Sequence, residues 1–324
     1  MERLSAITAI VSDDLQAYDR LFRETVRTKV PLLNTVMRYM LRRKGKQMRP
    51  VFVLLSAGMH GEITPSVHRA AVLVELLHTA TLVHDDVVDE SWRRRGLLSL
   101  NAVWRNKVSV LVGDYLLSRG MLLALDHREY DQLHIVSDAT REMSEGELLQ
   151  LEKARRLDID EGVYFEIIRK KTASLIASCC AIGAHAAGAP EEVVGRMKLF
   201  GEKVGIAFQI KDDLFDFTTG NRTGKSSGAD LKEKKLTLPF IHMLNTMGSG
   251  ERRDALRLLR RGKDASGDFK RLVEMVHEYG GMHYANEQMI RYRDEALEVL
   301  NGLPQNQFAD GLKKLVLYTT ERTR

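Results

Sequence analysis

The stretch Leu77-His-Thr-Ala-Thr-Leu-Val-His-Asp-Asp-Val-Val-Asp-Glu90 runs from apolar side chains straight into a cluster of acids. On a helix, Asp85 and Asp89 fall four residues apart on one face, about 5–6 Å between their Cβ atoms, with Asp86 turned away. Like charges at that spacing repel by a few tenths of a kcal/mol, and the negative end of the helix dipole adds to the cost. A divalent cation removes it. The same pattern returns at Asp212-Asp213-Leu214-Phe215-Asp216, behind the largely apolar Gly205-Ile-Ala-Phe-Gln-Ile210. One such cluster is ordinarily a solvated helix end. Two, each following apolar sequence, put acidic walls at the mouth of a core, and the fold has to bring two helix ends to one site. Carboxylates in this number with no cysteine beside them favour a hard cation, Mg²⁺, which keeps waters and completes its octahedron with substrate phosphates.

The remaining sequence supplies helices to carry those ends. Apolar residues keep helical spacing over Leu4 to Glu24 and Lys29 to Leu41, and a basic hinge from Arg42 leads to Pro50, placed to open another helix. The helix with the first acid cluster follows Pro65. Val108 to Leu125, Tyr130 to Leu151, Asp160 to Ala187, Pro190 to Phe217 and Leu236 to Met247 carry the same period, and Met282, Ala285, Met289, Tyr292, Ala296 and Val299 form a later core stripe. No segment alternates with period two over β-branched residues, so strands are expected to be absent or trivial and the chain all-α. No linker or change of composition divides it, and a single domain over 1–324 is expected. Thr218 to Gly228, rich in Gly, Ser and Thr, is the one evident loop, placed to act as a lid.

A net charge of +5 and a pI near 9.1 suit a small anionic substrate as well as nucleic acid. Aromatic content of 6% is low for a surface that stacks bases, so nucleic acid is not the expected partner. Cys179 and Cys180 are adjacent in an apolar helical stretch, which disfavours a disulfide and suits a reducing compartment. With no basic start and apolar run after Met1, a cytoplasmic location is expected. Thr172 to Ala189 is long enough to span a bilayer, yet its Ser, Thr, Gly and Ala mark a buried central helix, so no transmembrane segment is expected. Gly220 to Ser226 imitates a P-loop but is one residue short and follows an acidic helix rather than a strand. His78, His84 and Asp85 could serve a metal phosphohydrolase, a reading that leaves the second acid cluster unexplained.

Cations complete the pattern. Lys46, Arg49, Arg94, Arg95, Lys171, Lys225 and Lys235 lie at helix ends or in loops beside the elements just described. Singly, each would be a solvated surface residue. Together with the acids they describe a pocket for two diphosphates, one bridged by metal and one held by direct ion pairs. The Arg252 to Lys263 run has no such company and reads as a solvated face.

In this order the motifs resemble those of trans-isoprenyl diphosphate synthases of the polyprenyl synthase branch: Gly45-Lys46-x-x-Arg49-Pro50, His78, His84-Asp85-Asp86-x-x-Asp89-Glu90-Ser91, Arg94-Arg95-Gly96, Gly113-Asp114, Gly146-Glu147, Lys171-Thr172-Ala173, Gln209-x-x-Asp212-Asp213-x-x-Asp216 and Lys235-x-Thr237-Leu238-Pro239. The likeness covers nearly the whole chain. It implies an isoprenoid synthase-type helical bundle around a central apolar cavity, assembled as a homodimer through its long central helices. It further implies Mg²⁺-dependent condensation of isopentenyl diphosphate with an allylic diphosphate, farnesyl or geranylgeranyl. By the resemblance, Asp85, Asp89 and Asp212 hold about three Mg²⁺ ions against the allylic diphosphate, with Asp86, Asp213 and Asp216 in support. Arg94, Lys171, Lys225 and Lys235 would ligate that diphosphate; Lys46, Arg49, His78 and Arg95 would grip the other. Thr172 and Gln209 would present oxygens to the developing allylic cation. Ionising the C–O bond needs the departing diphosphate neutralised, and the cation needs shelter from water, which explains the residue types.

Product length is expected to be read from the helix above Asp85, at Thr81 and Ala80 and then at Leu77 and Val74. One helical turn rises about 5.4 Å, comparable to one isoprene unit, and small residues at 80 and 81 let the tail pass, so the resemblance implies about C30–C50, with Ala80→Phe expected to shorten it. A shorter farnesyl or geranylgeranyl product and a non-catalytic subunit of a heteromeric synthase are the alternatives. Lys44, Gln47, Leu97, Leu98 and Lys234 depart from the family pattern near the isopentenyl entrance and the lid.

Overall fold

A computed structural model describes residues 4–42, 45–94, 97–158, 160–218, 231, 235–260 and 266–322. Proline sets several helix starts. Pro31 and Pro65 stand in the first turn of α3 (Pro31–Leu41) and α5 (Pro65–Val88), where the missing N–H would have had no partner. The same logic lets α4 (Met48–His60) begin two residues before Pro50, whose position is still within the first turn. Ahead of them, α1 (Leu4–Thr8), a 3₁₀ turn (Ala9–Val11) and α2 (Ser12–Thr25) replace the single helix that periodicity suggests, because Val11 leaves helical geometry at φ −126°.

Beyond α5 a pair of two-residue strands, β1 (Arg93–Arg94) and β2 (Leu97–Leu98), forms an antiparallel ladder with Arg94 opposite Leu97. Ser99 then caps α6 (Leu100–Asp126), which starts earlier than its apolar period indicates and kinks at Arg105. Next come α7 (Tyr130–Arg156) and α8 (Glu161–Ile168), a π turn over Arg169–Ala173, and α9 (Ser174–Ala186). After α10 (Glu191–Asp216) follow α11 (Leu238–Thr246), α12 (Ser249–Arg260), α13 (Ser266–Glu278), α14 (Gly281–Asn301) and α15 (Gln307–Glu321). The expected solvated face is present on α12, where Arg252, Arg253 and Arg257 are exposed.

Among the described residues, buried apolar side chains fall into two clusters. The first joins α4, α5, α9 and the start of α10 through Phe52, Leu55, Leu73, Leu76, Ile182 and Phe200. The second gathers Ile206, Ile210 and Leu214 of α10 with Phe240 and Ile241 of α11 and Met289 of α14. Helix α10 thus runs through both and ends in the second acid cluster. Helix α9, the uncharged segment of the sequence, is almost wholly buried, and its small residues let neighbours approach closely. A Cβ built on Gly183 would lie 2.3 Å from the Val53 carbonyl oxygen of α4, and one on Gly201 of α10 would lie 2.7 Å from the Cα of Ala177 in α9. Cys179 and Cys180 are buried there as free thiols, and burial pushes Cys180 up to about 12. Among the described residues one helix, α6, is long and apolar enough to cross a membrane, with 33% of its apolar window buried.

The α4–α9 contact predicts its own weak point. Gly183→Ala forces two helix backbones apart and should cost about 1–3 kcal/mol, the range for overpacking a tight core. Urea unfolding of the two proteins measures it; equal midpoints would contradict the close approach.

Candidate active site

A cavity of about 880 Å³ opens between α4, α5, α7, the π turn, α9, α10 and α15. On α5 the residues lining it are Glu75, His78, Thr81, Leu82, His84 and Asp85, most of them in a stripe at helical spacing. Opposite stand Lys171 and Thr172, and Lys46 and Arg49 enter from the start of α4. About one helical turn along from these polar groups the lining is apolar, with Phe52, Met143, Leu175 and Ile176. Seven of the residues expected at a site from sequence (Lys46, Arg49, His78, Thr81, Asp85, Lys171 and Thr172) therefore line one cavity.

The first acid cluster divides by face. Asp85 lies on the cavity, while Asp86 is 4% exposed and lines a smaller pocket on the other side of α5. Asp89 caps the helix, its N–H donating to the Asp85 carbonyl at 2.8 Å, and its side chain is exposed. His84 is held against α6 because Gly113 leaves it room: a Cβ at 113 would lie 2.1 Å from His84 Nε2. That nitrogen lies 3.2 Å from the Val110 carbonyl oxygen and 3.5 Å from Asp114. The Gly113-Asp114 motif thus serves His84.

In the second cluster Asp213 is buried and accepts from Tyr164 Oη at 2.6 Å and Gln209 Nε2 at 2.8 Å. Gln209 in turn accepts from Thr172 Oγ1 at 2.7 Å. One chain of hydrogen bonds therefore links the π turn to α10 and turns Asp213 inward, away from the role of an open ligand. Asp212, its neighbour, faces Arg322 at the end of α15, whose Nη2 donates to Oδ1. The Arg322 guanidinium also stacks on Phe208 at 4.5 Å and Phe215 at 5.5 Å. Beside it, burial and the Arg322 charge both lower the Lys211 pKa. Asp216 is the last residue of α10 and half-buried.

The π turn explains why Lys171 and Thr172 share the cavity. Gly146 of α7 lies so close that a Cβ there would sit 2.8 Å from Lys171 N, and Lys171 pairs with Glu147 and donates to Gln150 Oε1 at 3.3 Å. Lys46 approaches the ring of Tyr318 at 5.5 Å. Gln47, at φ 51°, turns the chain into α4 and donates to Asp19 at 2.7 Å, so this departure from the family pattern has a fixed place.

Other expectations land elsewhere. Ala80, Leu77 and Val74 are packed in the first core cluster, and Gly120 of α6 lies against Leu77; they are not among the cavity's lining residues, because they occupy the face of α5 turned from it. Thr81 alone of the four faces the cavity. Lys235 is half-buried ahead of α11 and also outside the lining. Arg94 is described only by its strand backbone. Arg95, Lys225, Lys44, Lys234 and all of the expected lid after Thr218 lie outside the described residues. Sequence reasoning passed over Glu75, Phe208, Tyr318 and Arg322, which line the cavity. Arg322, 110 residues from Asp212, carries no local signal.

The acids fit a hard divalent cation: the donors are carboxylates, and Asp212 already draws a cation in the guanidinium of Arg322. Among the described residues no three His, Cys, Asp or Glu groups converge on one point, so diphosphate oxygens would have to complete any octahedron.

Residues 30–276 match the sequence profile of the family described as Polyprenyl synthetase. The chain belongs to that family. An all-trans-nonaprenyl-diphosphate synthase (geranyl-diphosphate specific) of Rhodobacter capsulatus is 38% identical over 98% of this chain and 97% of its own. The crystal structure of a decaprenyl diphosphate synthase from Rhodobacter capsulatus superposes with a TM-score of 0.93 at 35% identity, covering 99% of this chain and 100% of that one. A polyprenyl synthase from Caulobacter crescentus, complexed with calcium and isoprenyl diphosphate, gives 0.91 at 31% identity over 99% and 98% of the two chains. The polyprenyl synthetase relationship spans both acid clusters and the all-helical fold.

Proposed function

We propose that this protein condenses isopentenyl diphosphate with an allylic diphosphate, farnesyl or geranylgeranyl, and releases a medium- to long-chain all-trans polyprenyl diphosphate. It is a trans-polyprenyl diphosphate synthase, a prenyltransferase, and one domain over 1–324 performs the reaction. The observation that carries this reading is one cavity whose lining combines charged groups, Asp85, Lys46, Arg49 and Lys171, with apolar ones one helical turn along from them, Phe52, Met143, Leu175 and Ile176. A diphosphate head and an isoprenoid tail need that combination.

Asp85, Asp89 and Asp212 would hold Mg²⁺, about three ions with substrate phosphates as the remaining ligands, and Asp86, Asp213 and Asp216 would fix the cluster. When bound, the metal neutralises the departing diphosphate. Lys171 adds positive charge at the same end, with Arg94, Lys225 and Lys235 in the same role. Lys46, Arg49, His78 and Arg95 hold the isopentenyl diphosphate in reach of the allylic carbon. Thr172 and Gln209, fixed by the hydrogen bond between them and by Asp213, turn oxygen dipoles toward the allylic cation. The tail runs past Thr81 along the apolar wall, and a Phe at 80 would have to displace core side chains before reaching it. A second copy of the chain covers α6, where Leu111, Met121, Leu122 and Leu125 are exposed.

Incubation with labelled isopentenyl diphosphate, farnesyl diphosphate and Mg²⁺ should give a lipid product longer than geranylgeranyl diphosphate. Chelation of the metal, or Asp85→Ala, should reduce turnover by at least about a hundredfold, in line with loss of a main electrostatic contribution. No product from wild type with Mg²⁺ would leave the non-catalytic-subunit reading standing. In the same assay Thr81→Phe should shorten the product by at least one isoprene unit, and an unchanged product would place the tail elsewhere. Sedimentation should give the mass of two chains; a single-chain mass at micromolar concentration would remove the second copy.

A further inference from the structure

The Arg49 guanidinium lies in a partition. On one side is the main cavity, and on the other a pocket of about 170 Å³ lined by Tyr18, Phe22, Met40 and Val83, with Arg49 and Glu75 contributing to both walls. Packing alone therefore does not set the direction of this side chain, since space is open on two sides of it. What sets it is an ion pair: Glu75 accepts from Nε at 2.9 Å and from Nη2 at 3.0 Å. Both side chains are shielded, at 20% and 19% exposure. A guanidinium has five N–H donors in a rigid plane, and a carboxylate gripping one edge in this way leaves the other edge directed oppositely. Burial works against the Arg49 charge, and Glu75, with smaller contributions from Cys179 and Tyr18, offsets it, so the group stays cationic. No part of the reaction described above uses Glu75, and nothing about the acid clusters requires it.

We propose that Glu75 is a positioning residue for isopentenyl diphosphate: it holds one edge of Arg49 so that the opposite edge is presented to the diphosphate. The inference rests on the assignment of Arg49 to that substrate. A flexible arginine would have to be ordered at each binding event, whereas one already clamped gives up little side-chain freedom. Glu75 sits ten residues before Asp85 on the same face of α5, so it also ties the isopentenyl end of the cavity to the helix that carries the metal-facing acid.

Isothermal titration of isopentenyl diphosphate into the full chain tests the idea, with wild type, Glu75→Gln, Glu75→Asp, Arg49→Gln and the double variant Glu75→Gln/Arg49→Gln. Glu75→Gln should weaken isopentenyl diphosphate binding about tenfold, while affinity for farnesyl diphosphate with Mg²⁺ stays within about twofold. In turnover, KM for isopentenyl diphosphate should rise with kcat changing less than about threefold. Glu75→Asp keeps the charge but withdraws the oxygens by one methylene, and should lose nearly as much; it also serves if the Gln variant does not fold. The double variant should bind no more weakly than Arg49→Gln alone. Unchanged or tighter binding in Glu75→Gln, wild-type affinity in Glu75→Asp, or an added loss in the double variant would each overturn the positioning role. A wild-type protein that binds no isopentenyl diphosphate would instead remove the assignment of Arg49, and the inference with it.

Discussion

Carboxylates crowded at the C-terminal ends of α5 and α10 are held against their own repulsion and against two helix dipoles. Everything that surrounds them opposes that strain. Helix α10 passes through both hydrophobic clusters before it reaches Asp212, so the acids stand on an element anchored along its length. Helix α5 is fixed in the same way, through Leu73, Leu76 and Leu77, against α6 and α9. Because packed interiors have little slack, neither helix can shift its end to spread the charges within its own cluster. The burden falls on cations brought to the site.

Those cations are themselves constrained. Lys171 is carried on a π turn, and Gly146 lets α7 approach the backbone of that turn at 170–171. One extra residue in that turn changes which side chains face inward, and it brings both Lys171 and Thr172 to the cavity. Thr172 then engages Gln209, and Gln209 engages Asp213. A buried polar array of this kind is stable only when its members are mutually satisfied, so the position of the Thr172 hydroxyl follows from the burial of an aspartate 41 positions later in the chain.

How much of this could be seen in the chain alone depends on range. Helix periodicity and the Pro start signals are local, and α3, α5, α7 and α10 fall close to where those signals put them. The acid clusters were visible because two copies of one spacing recur. What could not be seen has non-local causes. Helical spacing already turns Asp86 away from Asp85; that Asp86 ends up buried, at 4% exposure, rather than on an open side of the helix depends on how α5 packs against α2, α4 and α6. Ala80 beside Thr81 is the same case, with a rotation of one residue separating a core position from a cavity wall. The π turn within 160–187 leaves no trace in the apolar period, since it changes the phase of a helix without interrupting its hydrophobicity.

Two arginines show how the same ion pair serves different ends. Arg49 is gripped by Glu75, a residue outside both acid clusters, so its partner is not one that a metal ion would claim. Arg322 is paired with Asp212, whose oxygen is also the one a divalent cation would use, and its guanidinium rests on Phe208 and Phe215 rather than in a closed carboxylate fork. Aromatic faces hold a cation by a broad, weakly directional attraction, worth about 0.5–2 kcal/mol, whereas a bidentate carboxylate fixes it in plane and angle. The first arrangement therefore keeps one orientation through a binding cycle, and the second allows the guanidinium to slide off the carboxylate while staying on the rings. A rigid and a yielding cation in the lining of one cavity follow directly from which acid each arginine meets.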